Sequence, residues 1–386
     1  MSEDEARCGI GALRLADVYG PEYTRQIEAV RREAALVLAR IALCHLFAAG
    51  EVRHDPHARP PNEAVARQPF FFRKRLIEYL EDRGDVVRDG EVCRPTAAML
   101  ERAETPEAEY FGDAAESPTL KTMKHIEAIA GGVLEGRDGL ILLEEHLGAD
   151  ETWRAWQYLM TGAPPKRACN ALVARALDLR LSRGAPTVVF EGGAGLGATL
   201  NEAMTIEGFR QRASAIELYG FTDINRPLMR QAREMLERSA PELLPRMRFD
   251  RVDLDQLDDY DDLPYLQDAS CDIIIFESVL HDVEDLDRVL TRCRRVLKPG
   301  GWLAFTAGFR GRPGRFFPFE LLQSTLHSYY RAELDPPRRV NVGYLCAEEW
   351  TASLVDAGFG EFRFFPAVEH QETWPYGGIV AWRPGS

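Results

Sequence analysis

The sequence contains no apolar run that reaches the roughly 18 residues needed to cross a membrane as a helix. Its first residues, MSEDEARCG, are acidic and precede no apolar segment, so they lack the pattern of a secretory signal peptide. These absences predict a cytoplasmic protein without a membrane partner. With 45% hydrophobic and 28% charged residues in 386, the composition is that of a globular chain of two or three domains.

Metal-binding and disulfide patterns are also missing. The seven cysteines are scattered, no two form a C-x-x-C pair, and no histidine lies near them at metal-ligand spacing. We therefore expect reduced, buried thiols and no metal site. His54 and His57 fall in the proline-rich stretch HDPHARPPN, which favours a solvated turn over a pair of metal ligands.

Lysine is scarce, with five among 47 basic residues, and the acidic residues prevail to give a net charge of −14. A chain this acidic repels the phosphate backbone of nucleic acids unless a local basic patch overrides the total. The sequence therefore predicts no nucleic-acid partner.

The first part of the chain has helical periodicity, starting with apolar residues at helical spacing from Tyr23 to Ala49. A second helix runs to Gly84, and the segment VVRDGEVC predicts a hairpin around Asp89-Gly90. A helix followed by such a β wing is the outline of a winged helix. Because this helix is acidic, we expect a scaffold or a homodimer contact rather than DNA binding. We predict a helical and winged-helix domain over residues 1–165.

Strands alternate with helices after Pro186, which is typical of a parallel α/β sheet. The strand-like runs TVVFEG, AIELYGFTDI, CDIIIFES and GWLAFTAG are separated by charged, amphipathic segments such as DLDRVLTRCRRVL. Their continuous apolar character predicts central strands that are covered on both faces. Residues 166–386 are therefore predicted to form an α/β domain.

A glycine-rich turn, EGGAGLG, follows the first of these strands. Gly193, Gly195 and Gly197 permit a tight strand-to-helix turn and a close approach of the backbone to a ligand. Asp223 ends the second strand, where a carboxylate can accept hydrogen bonds from both hydroxyls of a ribose.

Polar residues follow the next two strands as well. Asp253 comes after the third strand, where it can face an adenine amino group, and Glu277 and His281 come after the fourth. The carboxyl ends of parallel strands meet at one edge of a sheet, so we expect all of these residues to lie at one ligand site.

Together these elements resemble the motifs of class I S-adenosylmethionine-dependent methyltransferases. They are most similar to the methyltransferase domains of polyketide and nonribosomal peptide synthases, in FTDI followed by AREML and in VLH followed by VLKPGG. LHD-x-x-D is also similar to small-molecule O-methyltransferases. The likeness is specific over about residues 185–305 and looser over about 70–170 and 345–360. It implies a seven-stranded, Rossmann-like methyltransferase sheet behind the winged-helix domain, with S-adenosylmethionine as cofactor.

The resemblance also implies roles for individual residues. The expected cofactor-binding residues are Glu191, Gly193, Gly195, Gly197, Asp223, Asp253, Leu254 and Glu277. Asp223 would bind the ribose, and Asp253 and Leu254 would face the adenine. His281 matches the general base of these families, and an imidazole with a pKa near its usual value of about 6.5 can take a proton at neutral pH.

One departure concerns the carboxylate that orients this histidine. The synthase C-methyltransferases carry a glutamate at the end of the fifth strand, where this chain has Thr306 or Ala307. The acids that could replace it are Asp282, Asp285, Glu277 and Glu320. Without the usual glutamate we expect methylation of an acidic hydroxyl rather than of a carbon, since a hydroxyl needs less help to ionise.

Two further features leave alternatives open. Tyr158 lies near the position of an active-site tyrosine in the synthase domains, but it could equally pack beside Trp153 and Trp156. Arginines and aromatics interleave from residue 309 to 344. A lid in that segment would bring Arg310, Arg312 and Arg315 to an aromatic or anionic substrate, whereas a packed loop would leave them in solvent.

The sequence thus predicts an enzyme of natural-product biosynthesis that methylates a small-molecule or carrier-protein-tethered substrate, with O-methylation favoured over C-methylation. Two other functions fit parts of the pattern. One is a methyltransferase-like fold that catalyses a cyclisation or an elimination, and the other is a non-enzymatic regulator that senses a ligand.

Overall fold

The computed structural model describes residues 18–106, 109, 118–312, 316–336 and 338–385. They divide into two compact units. The helical unit consists of the described residues of Thr24–Met160 and Gly314–Ala332, and the sheet unit of those of Met1–Tyr23, Thr161–Pro313 and Glu333–Ser386. This division differs from the predicted boundary at 165, because residues 316–332 of the second half belong to the helical unit.

The described elements up to residue 160 follow the predicted order of helices and wing. They are α1 Pro21–His45, β1 Val52–Arg53, α2 Ala64–Asp82, β2 Val86–Asp89, β3 Val92–Pro95, α3 Ala97–Glu104, α4 Pro118–Leu134, α5 Gly139–Leu147 and α6 Ala149–Gln157. The three strands form an antiparallel sheet in the order β1-β3-β2. The hairpin predicted around Asp89-Gly90 is confirmed: Asp89 pairs with Val92, and Gly90 has a φ of 61°.

Two helices, α4 and α5, lie between residues 118 and 147. Gly136 between them has a φ of 88°, and the carboxylate of Asp138 accepts a hydrogen bond from the N–H of Leu140 at 2.9 Å. Glycine in the left-handed region ends one helix, and an aspartate cap starts the next.

Residues 316–332 form short 3₁₀ turns and pack within the helical unit. Phe316, Leu321 and Leu322 join its apolar core. Glu320 is completely buried, 3.7 Å from Nη1 of the equally buried Arg75, and it accepts a hydrogen bond from the hydroxyl of Tyr329. Core packing, one of the two alternatives for the arginine- and aromatic-rich segment, is therefore what these residues show.

The sheet unit contains a mixed sheet. Its strands are β4 Thr187–Gly192, β5 Ile216–Asp223, β6 Met247–Arg251, β7 Cys271–Glu277, β8 Leu297–Arg310, β9 Leu345–Cys346, β10 Glu361–Phe365 and β11 Tyr376–Trp382. They lie in the order β10-β11-β8-β7-β4-β5-β6, and the two-residue β9 pairs with β8. Strands β4 to β8 are parallel, and β10 and β11 are antiparallel. The predicted seven-stranded α/β sheet is confirmed.

The helices of this unit are α7 Pro164–Leu181, α8 Ala198–Thr205, α9 Glu207–Arg212, α10 Arg226–Ser239, α11 Leu286–Val296 and α12 Ala347–Asp356. α7 begins at Pro164, since proline is compatible with the first turn of a helix. Central strand residues such as Ile273 and Ile275 are completely buried. None of the helices in the described ranges combines the length and apolarity that crossing a bilayer requires.

Candidate active site at the carboxyl edge of the sheet

The glycine turn between β4 and α8 depends on three left-handed residues. Gly193, Gly195 and Gly197 have φ angles of 65°, 54° and 74°, which side chains rarely allow. A Cβ added to Gly193 would lie 2.5 Å from Cγ2 of Val279, whereas one added to Gly195 would meet nothing within 4 Å. The turn is thus packed on one side against the loop after β7 and leaves open space at Gly195.

Asp223 at the end of β5 contacts this turn directly. Its carboxylate accepts hydrogen bonds from the N–H of Gly195 at 2.9 Å and of Asn225 at 2.7 Å. Burial raises the pKa of Asp223, and the backbone N–H groups of Asn225, Gly195 and Ile224 oppose that rise. The structure therefore brings together two of the motifs that the sequence placed on neighbouring strands.

Glu191 lies one residue before the end of β4 and is only 2% exposed. The hydroxyl of Tyr219 donates a hydrogen bond to its Oε2 at 2.6 Å. Burial raises the pKa of Glu191 to about 7, and the charges of Glu277 and Asp223 add to the rise. A cation brought close to this carboxyl would favour its ionised form.

Asp253 and Leu254 follow β6 at the same edge. Asp253 caps a 3₁₀ turn, Leu254–Tyr260, by accepting a hydrogen bond from the N–H of Asp255 at 3.1 Å. A Cβ added to Gly192 would lie 3.0 Å from Cδ2 of Leu254, so this side chain lies against the start of the glycine turn. Asp255, which the sequence did not single out, accepts a hydrogen bond from the N–H of Glu284 at 2.7 Å and joins the loops after β6 and β7.

The loop after β7 begins with Glu277 and Ser278. Oε1 of Glu277 lies 3.4 Å from Nζ of Lys166, a residue of α7 that the sequence reading missed. Ser278 is buried and has a φ of 50°, an uncommon backbone conformation for a residue with a side chain. Such strained residues persist where the surrounding structure holds them, and they cluster at functional sites.

His281 follows in a 3₁₀ turn and is 2% exposed. Its Nε2 lies 3.4 Å from Oδ1 of Asp282, its ring centroid lies 4.1 Å from that of Tyr344, and its Nδ1 has no hydrogen-bond partner among the described residues. Burial holds the pKa of His281 well below its usual range, and the charges of Lys166, Arg339 and Arg310 lower it further. The imidazole is therefore neutral at physiological pH.

The acids considered as partners of this histidine have separate positions. Asp282 lies beside the imidazole. Asp285 caps α11 by accepting a hydrogen bond from the N–H of Arg288 at 2.9 Å, Glu277 pairs with Lys166, and Glu320 pairs with Arg75 in the helical unit. Thr306, at the position of the expected glutamate, pairs with Glu277 in the strand register.

The remaining candidates have different surroundings. Tyr158 lies in the helical unit and starts a π-helical turn, Tyr158–Gly162; its role stays a prediction. Arg310 is buried at the end of β8 and donates a hydrogen bond to the carbonyl of Val342 at 2.7 Å, whereas Arg312 is exposed. Arg315 lies outside the described residues.

Residues 192–305 match the methyltransferase domain family. Among curated proteins, the chain is 30% identical over 174 residues to the polyketide synthase-like protein Preu9 of Preussia isomera, which covers 44% of the chain and 7% of that protein. It is 30% identical over 271 residues to the reducing polyketide synthase Preu2 of the same organism, which covers 65% of the chain and 11% of that protein. The chain thus spans a small fraction of the length of these relatives.

Two solved structures have the same fold over nearly the whole chain. The DszA carbon methyltransferase matches with a TM-score of 0.72 and 18% identity, covering 98% of this chain and 96% of that one. The CurJ carbon methyltransferase matches with a TM-score of 0.69 and 17% identity, covering 99% and 97%. The family match, the glycine turn and the acid at the end of β5 identify residues 192–305 as a class I, S-adenosylmethionine-dependent methyltransferase domain, and the curated relatives show its resemblance to the domains of polyketide synthases.

Proposed function

We propose that this chain transfers a methyl group from S-adenosylmethionine to an acidic carbon of a polyketide-type acyl substrate, free or tethered to a carrier protein, with His281 accepting the proton that the carbon loses. The observation that carries the proposal is the placement of His281. Its imidazole is buried and neutral, and its loop packs through Val279 against the glycine turn. A neutral imidazole at this edge can accept a proton beside the bound cofactor.

The residues at the edge of the sheet fit the cofactor. S-adenosylmethionine supplies an electrophilic methyl group on a positively charged sulfur. The open space at Gly195 lets the cofactor approach the backbone of the glycine turn. The carboxylate of Glu191 suits the positive charge of the cofactor, and the carboxylate of Asp223 suits its ribose hydroxyls. Asp253 and Leu254 follow the next strand, where the adenine would lie.

Asp282 favours one tautomer of the His281 imidazole. Because its carboxylate faces Nε2 at 3.4 Å, the ring hydrogen is favoured on that nitrogen and the lone pair on Nδ1. Nδ1 of His281 would then accept the proton that the acidic carbon of the substrate loses. Asp282 thus takes the place of the glutamate expected at the end of β8.

Two features favour different acceptor atoms. Carbon is supported by the likeness to two solved structures that cover nearly the whole chain, both of them carbon methyltransferases. A hydroxyl, the acceptor predicted from the sequence, is the second candidate, because Asp282 is half-exposed and its contact with Nε2 is long. Such a weakly oriented imidazole suits an acceptor that ionises readily.

Product analysis tests the proposal. The protein is incubated with S-adenosylmethionine carrying a ¹³C-labelled methyl group and either a β-ketoacyl thioester, whose α-carbon is acidic, or a phenol. We expect NMR to place the label on the α-carbon of the thioester. A label on the phenol oxygen alone would support the second candidate, and no transfer to either substrate would contradict the proposal.

Replacing Asp223 with alanine is expected to weaken S-adenosylmethionine binding at least tenfold, about 1.4 kcal/mol, in calorimetry. The variant loses the ribose acceptor and the hydrogen bond that Asp223 accepts from Gly195. Glu217→Ala is the matched control, because this exposed residue lies at the opposite end of the same strand. Equal affinities of the two variants would remove Asp223 from the site.

Binding of S-adenosylmethionine is expected to release a proton and to strengthen as the pH rises towards about 7. The free protein keeps Glu191 protonated below its pKa of about 7, and the positive cofactor favours the ionised carboxylate. Above that pH the affinity should level off. Calorimetry in two buffers of different ionisation enthalpy counts the released proton, and Glu191→Gln should abolish the release. Equal proton release by this variant would assign the proton to another group.

A further inference from the structure

Arg339 contacts the backbone of the 3₁₀ turn that contains His281. It is 4% exposed, and its guanidinium donates hydrogen bonds to the carbonyl of His281 at 2.6 Å and to the carbonyl of Val283 at 2.9 Å. These two carbonyls flank Asp282, so one planar side chain holds both sides of the turn. Arginine suits this position because its donors form a rigid fork, and bonds from a charged donor are about twice as strong as neutral ones.

The backbone of Arg339 is itself fixed. Arg339 and Asp335 exchange two backbone hydrogen bonds of 3.0 Å as an isolated antiparallel bridge. Farther along, the buried carboxylate of Glu349 accepts from the N–H of Val340 at 3.1 Å and of Cys346 at 2.9 Å. The loop between them carries Tyr344, whose ring packs on the imidazole. The guanidinium of Arg339 therefore extends from a fixed backbone position to the two carbonyls of the His281 turn.

We propose that Arg339 is a positioning residue that fixes the backbone of His281 and thereby the direction of its imidazole. The inference rests on the proposed function only where turnover is concerned. Displacing a reacting group by about 1 Å can cost on the order of 100-fold in rate. An arginine that holds two carbonyls of the base's own turn is placed to prevent such a displacement.

Arg339 also contributes charge. The charged groups that face His281 are Lys166 from α7, Arg310 from β8, Arg339 from the loop before β9, and Asp282 from its own turn. Removing the charge of Arg339 takes away one cation that disfavours the imidazolium, so the pKa of His281 should rise. Lysine at this position would keep the positive charge but could not bind both carbonyls as the guanidinium does. Arg339→Lys therefore separates the effect of the charge from the effect of the two hydrogen bonds.

The experiment compares Arg339→Met, Arg339→Lys and the control Arg338→Met in the full chain. Arg338 is its sequence neighbour, is about one-third exposed, and pairs with Asp335 and Asp356 at the surface. The titration of His281 is followed by NMR, with its signal assigned by its absence in His281→Gln. Turnover is measured against pH, cofactor affinity by calorimetry, and folding by circular dichroism.

We expect Arg339→Met to move the His281 titration and the acid limb of the rate profile to higher pH and to lower kcat on the order of 10- to 100-fold, with cofactor affinity unchanged. Arg339→Lys should keep the titration and lose kcat. Arg338→Met should change neither. An unaltered His281 titration and signal in both folded Arg339 variants would overturn the inference. An altered signal with full turnover would instead contradict His281 as the base and leave Arg339 as its positioning residue.

Discussion

Replacing His281 with alanine is expected to lower turnover roughly 10²- to 10⁴-fold and to leave the affinity for S-adenosylmethionine unchanged. The imidazole is neutral because burial and three nearby cations hold its pKa well below the usual range. As the proposed base it would be unprotonated across the whole neutral range, so the activity of the unaltered protein at saturating S-adenosylmethionine should persist below pH 6.5.

The pH dependence of the residual activity adds a second readout. With an acidic acceptor, hydroxide can replace the missing base, so the residual rate of His281→Ala should rise with pH. His370→Ala is the control, because His370 is exposed in the same unit and packs against Trp374. Turnover is measured by transfer of a labelled methyl group. Full activity of His281→Ala would contradict the base assignment.

The second large effect concerns the stability of the helical unit. Replacing Glu320 with leucine is expected to lower the free energy of unfolding by about 3–5 kcal/mol, because it leaves the guanidinium of Arg75 buried without its carboxylate. Arg75 and Glu320 are 2% and 0% exposed, so water cannot replace the lost partner. Tyr329 also loses the acceptor of its hydroxyl.

A double variant separates the pair from the positions that it occupies. Arg75→Met combined with Glu320→Leu should recover most of the loss, since replacing both members of a buried ion pair by apolar side chains of similar volume is often neutral or stabilising. Glu145→Gln is the surface control: it breaks an exposed pair with Arg137 and should cost at most about 1 kcal/mol. The free energies come from urea unfolding of the full chain. Equal losses in Glu320→Leu and Glu145→Gln would show that the buried pair contributes no more than a surface one.

Local patterns predicted the elements that depend on nearby residues. The β hairpin followed from Asp89-Gly90, and the parallel strands followed from continuous apolar runs. The glycine turn and Asp223 were predicted on neighbouring strands, and the structure joins them by the hydrogen bond from Gly195. These features could be predicted from the sequence because the residues that determine them lie within one strand, within one turn or on two paired strands.

The features that the sequence did not reveal depend on distant contacts. Arg339 lies 58 residues from His281 in the chain, and a single arginine in a loop has no pattern that distinguishes it. Lys166 meets Glu277 only after α7 packs on the sheet. The same holds for residues 316–332, whose core position depends on Arg75, far away in sequence.

The membership of residues 316–332 in the helical unit has a consequence for protein engineering. The helical unit is completed by a segment that the chain contributes after β8, and that segment supplies Glu320, Leu321 and Leu322 to its core. A cut at residue 160 would therefore not release two self-sufficient pieces. The N-terminal piece would lack part of its interior, and the C-terminal piece would expose an apolar stretch that invites aggregation. A design that moves the helical unit into another protein should therefore carry residues 316–332 with it.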